Sequence, residues 1–303
     1  MNELLAKIID AHGGLERWNG HEKVDATIVS GGGLFPLKGV PQDSNPRRMT
    51  VWLHEERSSV LPYGAPDQRT MFTSDRIAIE KLNGTLVTER YAPRDSFAGH
   101  QMSTPWDPLH RAYFNGEALW TYLTTPFLLA MDRVRIEETE SWREGAETWR
   151  VLRAYFPGSI ETHCLVRDFF FGEDLLLRRH DYSVNIAGGF RAAQLTSDYA
   201  EANGIRLPTK RRAYTRGPDR RNASHPRPRV LHARLWCGGA NSQQCSGIRG
   251  PSLMPSRPCD AGSETFIHRD SVGLCVRSAA DTGECHARQR QRCGAGIGRG
   301  KDP

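Results

Sequence analysis

No window of the 303-residue chain approaches the roughly 18 consecutive apolar residues of a membrane helix, so no membrane span is expected. The first residues place Glu3 and Asp10 among their apolar side chains, unlike a secretory leader, and the expected location is cytoplasmic. Cysteine is scarce too. Up to residue 216 the only thiol is Cys164, inside an apolar run; one thiol forms no internal bridge and reads as a small buried residue rather than a nucleophile. The chain has no G-x-S-x-G elbow and no H-E-x-x-H pair. Gly31-Gly32-Gly33 lack the G-x-G-x-x-G spacing and lead into Leu34-Phe35-Pro36, which opposes a helix start and hence a phosphate cradle.

What is present is unevenly spread. The formal charge of +6 comes from 41 Lys and Arg against 35 Asp and Glu, but residues 217–303 hold 14 of the former and 7 of the latter. The remaining 27 basic and 28 acidic residues leave positions 1–216 nearly neutral. Those last 87 residues also carry six of the seven cysteines and only two of the 26 aromatics, Trp236 and Phe266. Two regions are therefore expected, a folded domain over 1–216 and a low-complexity, basic, Cys-rich tail over 217–303.

Cys237, Cys245, Cys259, Cys275, Cys285 and Cys293 include no C-x-x-C pair, so neither a metal nor another cofactor is expected. The tail arginines are scattered without aromatic stacking partners, which argues against a nucleic-acid partner; such binding would have to run through the tail and weaken steeply with salt. Arg, Gly, Pro, Ala, Ser and Cys without hydrophobic periodicity are what a GC-rich gene yields when translated out of frame. The string RRNASHPRPRV (220–230) admits codons that read, one nucleotide later, as a turn followed by a linker and a strand start. A frameshifted tail is the expectation, and an ordinary disordered tail the alternative.

The first 216 residues have clear periodicity. Leu4, Leu5, Ile8, Ile9 and His12 form one helical stripe ended by Gly13-Gly14, and Leu15–Trp18 adds a turn. Short alternating runs follow at 24–30, 49–54, 59–61, 70–74, 77–82 and 85–91, with Asn83-Gly84 marking a tight hairpin. Asp107-Pro108 reads as an N-cap and first helical residue, and Asn115-Gly116 is expected to break that helix before it resumes over Ala118–Tyr122. Thr125-Pro126 starts a short further helix. Strand character resumes at 134–138, 148–155, 162–171, 175–184, 192–200 and 205–215, with a second hairpin at Asn203-Gly204. The pattern predicts an α+β fold: a strongly curved antiparallel half-barrel of about ten or eleven strands wrapped around inserted helices.

The strings HGGLERW (12–18), PWDPLHRAYFNGEALWTYLTTPFLLA (105–130), ETWRVLRAYFPGSIETH (147–163), LLLRRHDYSV (175–184) and NGIRLPTKRRAY (203–214) resemble a group of uncharacterised bacterial proteins. That group is similar in architecture to the LolA-like fold, the half-open barrel of periplasmic lipoprotein carriers and related lipid-binding proteins. The resemblance covers residues 1–219 and implies a hydrophobic ligand, although carriers of that kind are exported. It carries over no functional residues. Relatives continue with an apolar strand resembling VLVSIDL where this chain reads VLHARLW (230–236). On that reading Ile205–Thr215 has lost its neighbour, and a dimer through the unpaired edge is expected.

A half-open barrel offers an apolar concave face suited to a lipid or other hydrophobic, acidic or neutral, small molecule. Trp52, Phe72, Trp106, Tyr113, Trp120, Phe127, Tyr155 and Phe170 are the candidate lining, with simple core filling as the alternative for each. Arg178 or Arg211 could meet an acidic head group, although Arg178-Arg179 and Lys210-Arg211-Arg212 also fit solvated strand faces. An enzyme acting on a hydrophobic substrate is the alternative function. It would use His110 or His100 as base, with Asp107, three residues before His110 on a helix, orienting the ring. His180 and Asp181 are adjacent on a strand and point to opposite faces, while His163 sits near a segment end, where an exposed or hydrogen-bonded ring is expected.

Overall fold

The computed structural model describes residues 1–217 and two further strands, Leu231–Trp236 and Cys275–Arg277. The opening helix, α1 (Glu3–Ala11), is capped by Asn2, whose side chain accepts from the Leu5 amide at 3.1 Å. It buries the expected stripe of Leu4, Leu5, Ile8 and Ile9. At the turn that follows, Gly13 has φ +120° and lies so close to the Gly204 carbonyl that a side chain there would collide with it. A short second helix, α2 (Leu15–Asn19), carries Trp18 into the core.

Strands β1 (Lys23–Gly31), β2 (Arg47–Trp52), β3 (Arg57–Leu61), β4 (Gln68–Thr73), β5 (Arg76–Lys81) and β6 (Leu86–Tyr91) form one antiparallel meander. A single helical turn, α3 (Leu34–Leu37), interrupts it after β1, where no helix was expected from the sequence. Pro36 is tolerated because a first-turn residue needs no intrahelical N–H donor. The second meander comprises β7 (Arg135–Glu144), β8 (Glu147–Tyr155), β9 (Val166–Phe171), β10 (Leu177–Val184), β11 (Phe190–Ala202) and β12 (Ile205–Thr215). Asn203 (φ 50°) and Gly204 (φ 76°) make the tight turn between β11 and β12, as their residue types require.

The two six-stranded meanders are joined by β13 (Leu231–Trp236), antiparallel to both β1 and β12, while β14 (Cys275–Arg277) pairs with β1 beside it. This corrects the expected unpaired edge. Lys210–Ala213 of β12 pair with Leu231–Arg234, so the edge invoked for a dimer is occupied at those four positions. The zinc, nucleic-acid and frameshift expectations otherwise fall on tail residues outside the described ones.

The sheet runs from β6 at one end to β7 at the other and curls around α4 (Pro108–Thr124), in the expected half-barrel architecture. Asp107 caps α4 as expected: its carboxylate accepts from the His110 amide at 2.8 Å, while the His110 Nδ1 accepts from the Asp107 amide at 3.1 Å. The expected break at Asn115-Gly116 does not occur, and the helix runs through it. Packing overrides the local helix penalty of glycine, because a Cβ on Gly116 would stand 2.5–2.6 Å from Phe72. Asn115 meanwhile donates to Gln42 Oε1 at 3.0 Å. Apart from Arg111, every residue from Leu109 to Thr124 is buried. No helix among the described residues is long and apolar enough to cross a membrane.

Candidate functional site

Strand alternation divides the candidate lining residues between two faces. Phe72, Trp106, Tyr113, Trp120 and Phe127 lie inside, shielded from solvent and packed on one another in the main core. Phe72 and Tyr113 meet edge to face at 5.6 Å, Phe127 stacks on Trp18 at 4.1 Å, and the Lys38 ammonium sits 5.0 Å over Trp106. The Trp120 indole N–H donates to the Trp52 and Glu55 carbonyls at 2.9 and 3.1 Å, tying α4 to the β2–β3 turn.

Trp52, Tyr155 and Phe170 face the other way, which corrects their place in the concave lining. Their neighbours Val51, Ala154 and Phe169 take the inward positions, and successive strand residues alternate. Trp52 lies outside between Lys23 and Arg57 and borders a shallow cavity of about 520 Å³ with Glu22, His54 and Glu55. The Tyr155 ring carries the Arg135 guanidinium at 3.5 Å. Phe170 joins Trp142, Trp149 and Val151 in a separate cluster on the convex face.

Inside the second meander the apolar core, with Leu152, Phe169, Phe171, Leu177 and Leu207, encloses a polar network. Glu117 of α4 meets Arg167 of β9 at 3.2 Å and the His163 Nδ1 at 2.7 Å, with all three side chains at most 1% exposed. Burial alone would raise the Glu117 carboxyl, but His163 and Arg167 beside it outweigh that and hold it below its ordinary range. Burial, with the Arg167 guanidinium, lowers His163 below the ordinary imidazole range against the upward pull of Glu117. The network continues through Tyr122 and Tyr182, whose hydroxyls are 3.2 Å apart, to His180, which stacks on Phe169 at 4.4 Å. Arg211 closes it, donating to the Tyr122 carbonyl at 2.6 Å and to Gln194 Oε1 at 3.0 Å. It thereby satisfies a carbonyl in the last turn of α4 and is committed to the helix. Glu56, half-buried, is raised well above the ordinary carboxylate range by desolvation.

Sequence reasoning missed Glu117 and Arg167. Their signal is a charge bordering an apolar run, ALW after Glu117 and LV before Arg167. His180 and Asp181 do separate as expected. The histidine points inward, and Asp181 points outward, where it takes a two-pronged ion pair from Arg179 at 2.6 and 3.0 Å.

The structure brings the alternative catalytic set together only in part. The His100 and His110 rings lie 5.2 Å apart beside Phe97. Asp107 is engaged as the helix cap and by Arg90 at 2.6 Å, while its Oδ1 lies 3.0 Å from the His110 Nδ1, the nitrogen that also takes the Asp107 amide N–H at 3.1 Å. Desolvation lowers His110 and His100 below the ordinary imidazole range. Among the described residues no group of three or more His, Cys, Asp or Glu side chains stands ready to hold a metal ion.

An apolar groove of about 320 Å³ opens where α1 and α2 meet the start of the second meander. Leu5 and Leu15 form one wall; Leu129, Ala130, Met131, Val134 and Ile136 form the other, with Met1 and Asn2 at the end. The Asn2 side-chain oxygen is already engaged in capping α1. No charged side chain lines the groove, which sets apolar side chains beside polar atoms of the chain and can shelter apolar atoms.

No protein-family model matches the chain, and no curated protein matches it. Among solved structures it is similar to a LolA superfamily protein from Nitrosomonas europaea, with 10% identity, a TM-score of 0.41, and 77% of this chain and 90% of that one covered. It is also similar to a DUF1329 family protein from Desulfovibrio piger, with 10% identity, a TM-score of 0.44, and 77% and 88% covered. Both are likenesses of fold.

Proposed function

We propose that the protein binds a hydrophobic small molecule or an acyl chain in the groove between α1, α2 and the start of β7. What supports this reading is the groove itself: eight apolar side chains around about 320 Å³, at the lower end of the range of small-molecule sites. Each methylene sheltered there contributes about 0.8 kcal/mol, so a medium-length chain gains enough to offset its loss of freedom. The aromatic lining expected from the sequence acts indirectly. The stacked Trp18–Phe127 pair and the α4 core hold the groove walls in place, and the ligand sits at the rim of the half-barrel instead of beneath the helix.

Titration of the full chain with dodecanol, followed by tryptophan fluorescence, tests this. Saturable binding by the wild type is expected, with Ala130→Phe, which fills the groove from its own wall, weakening it about tenfold or more while circular dichroism is unchanged. Equal affinity in the two proteins, or no binding to the wild type, would count against the groove.

A further inference from the structure

The convex face carries a second cavity, of about 340 Å³, bounded by β10, β11, β12 and Trp149 of β8. Register fixes which side chains reach it. Leu195 stands opposite Arg212 and Ser197 opposite Lys210, on the face away from the inward-pointing Gln194 and Arg211. Three cations converge there: Arg178, Lys210 and Arg212. Arg178 pairs with Asp174 at 2.6 Å and Lys210 with Asp198 at 3.2 Å, both carboxylates being largely exposed. Arg212 has no carboxylate partner among the described residues.

One wall is aromatic and held rigidly. Trp149 packs on Val151 and Phe170, meets the Phe170 ring edge to face at 6.5 Å, and donates its indole N–H to Glu147 at 2.6 Å. Tyr214 lines the cavity as well, with the Thr196 and Ser197 positions at its floor. Exposed ion pairs are worth little, so Arg178 and Lys210 can exchange their carboxylates for an incoming anion at low cost, while Arg212 offers a guanidinium fork that no carboxylate of the described residues holds.

We propose that this convex cavity is a second binding site, for a small, flat, apolar molecule bearing an anionic group such as a phosphate or carboxylate. The anion meets Arg212 and Lys210, and the flat body lies along Trp149. The site shares no residue with the rim groove and does not rest on it.

The test is calorimetric titration of the full chain with 1-naphthyl phosphate, 1-naphthol and inorganic phosphate. The ester should bind about tenfold or more tightly than either fragment, through charge-assisted hydrogen bonds added to ring contact, and should weaken as salt rises. The double variant Lys210→Gln/Arg212→Gln should reduce ester affinity to that of 1-naphthol and leave dodecanol binding unchanged. Equal binding of ester and alcohol by the wild type overturns the proposal, as does undetectable ester binding or full ester affinity in the double variant. Should the variant fail to fold, the wild-type comparison of the three probes decides alone.

Discussion

The two meanders wrap the same helix with different chemistry. Against one side of α4, β1–β5 present Val24, Ile28, Met49, Val51, Val60, Phe72, Ile77 and Ile79, an apolar face that fits by volume. Against the other side, β9–β12 set Arg167, His180, Tyr182, Gln194 and Arg211 among Phe169, Phe171, Leu177 and Leu207, a face that fits by hydrogen bonds and charge as well as by volume. Helix α4 is built to match: Gly116 lets Phe72 approach, while the next residue, Glu117, supplies the carboxylate that Arg167 needs. The first half tolerates a missing methylene at moderate cost. The second depends on every charge keeping its partner, because an orphaned ion has no water to turn to.

The comparison breaks most sharply at Glu117. Glu117→Ala strands the Arg167 guanidinium in the core and is expected to cost about 3–5 kcal/mol by urea denaturation. A loss below about 1 kcal/mol would mean that the polar half is not held by this pair.

Acid should separate the halves next. Burial holds the His12 imidazole, packed against Tyr199 of β11, at about 4 instead of 6.5. Between those pH values the unfolded chain binds the proton that the folded one refuses. The stability this contributes is therefore complete above pH 6.5 and is lost as pH falls toward 4, by about 3 kcal/mol there. His163 and His180, also lowered by burial, act in the same direction; Glu56, raised by burial, opposes them. The clean readout is the difference between proteins. His12→Leu should flatten the acid limb of the stability–pH curve relative to wild type, and an unchanged limb would remove His12 from the account.

At the boundary between the halves, Gly116→Ala forces a methyl against the Phe72 side chain. The expected cost is about 1–3 kcal/mol by overpacking, even though alanine is the better helix former. Stabilisation instead would show that Phe72 has room to move.

Much of this fold was legible in the residues. The α1 stripe, the Asp107-Pro108 helix start, the two Asn-Gly hairpins and the meander order all follow from local signals, and the structure has each of them. Strand alternation could also have sent Trp52 and Tyr155 outward, because each directly follows a small apolar residue that takes the inward position, whereas Phe170 stands between two other phenylalanines and gives no such signal. What was not legible depends on distant partners. Asn115-Gly116 reads locally as a break and becomes helix because Phe72, 44 positions earlier, requires the missing side chain. Glu117, His163 and Arg167 look unrelated along the chain and meet only once β9 curls over α4. The rim groove combines α1 with residues 129–136, a contact that no spacing announces.

The central claim is that the interior of the half-barrel is filled by α4 and that a hydrophobic ligand sits at its rim. Methyl-resolved NMR of the full chain during dodecanol titration tests it most directly. The account predicts shifts concentrated on Leu5, Leu15, Leu129, Met131, Val134 and Ile136, with the methyls of Val51, Val60 and Ile77 beneath α4 unmoved. Shifts centred on Val51, Val60 and Ile77 would contradict it, placing the ligand under the helix.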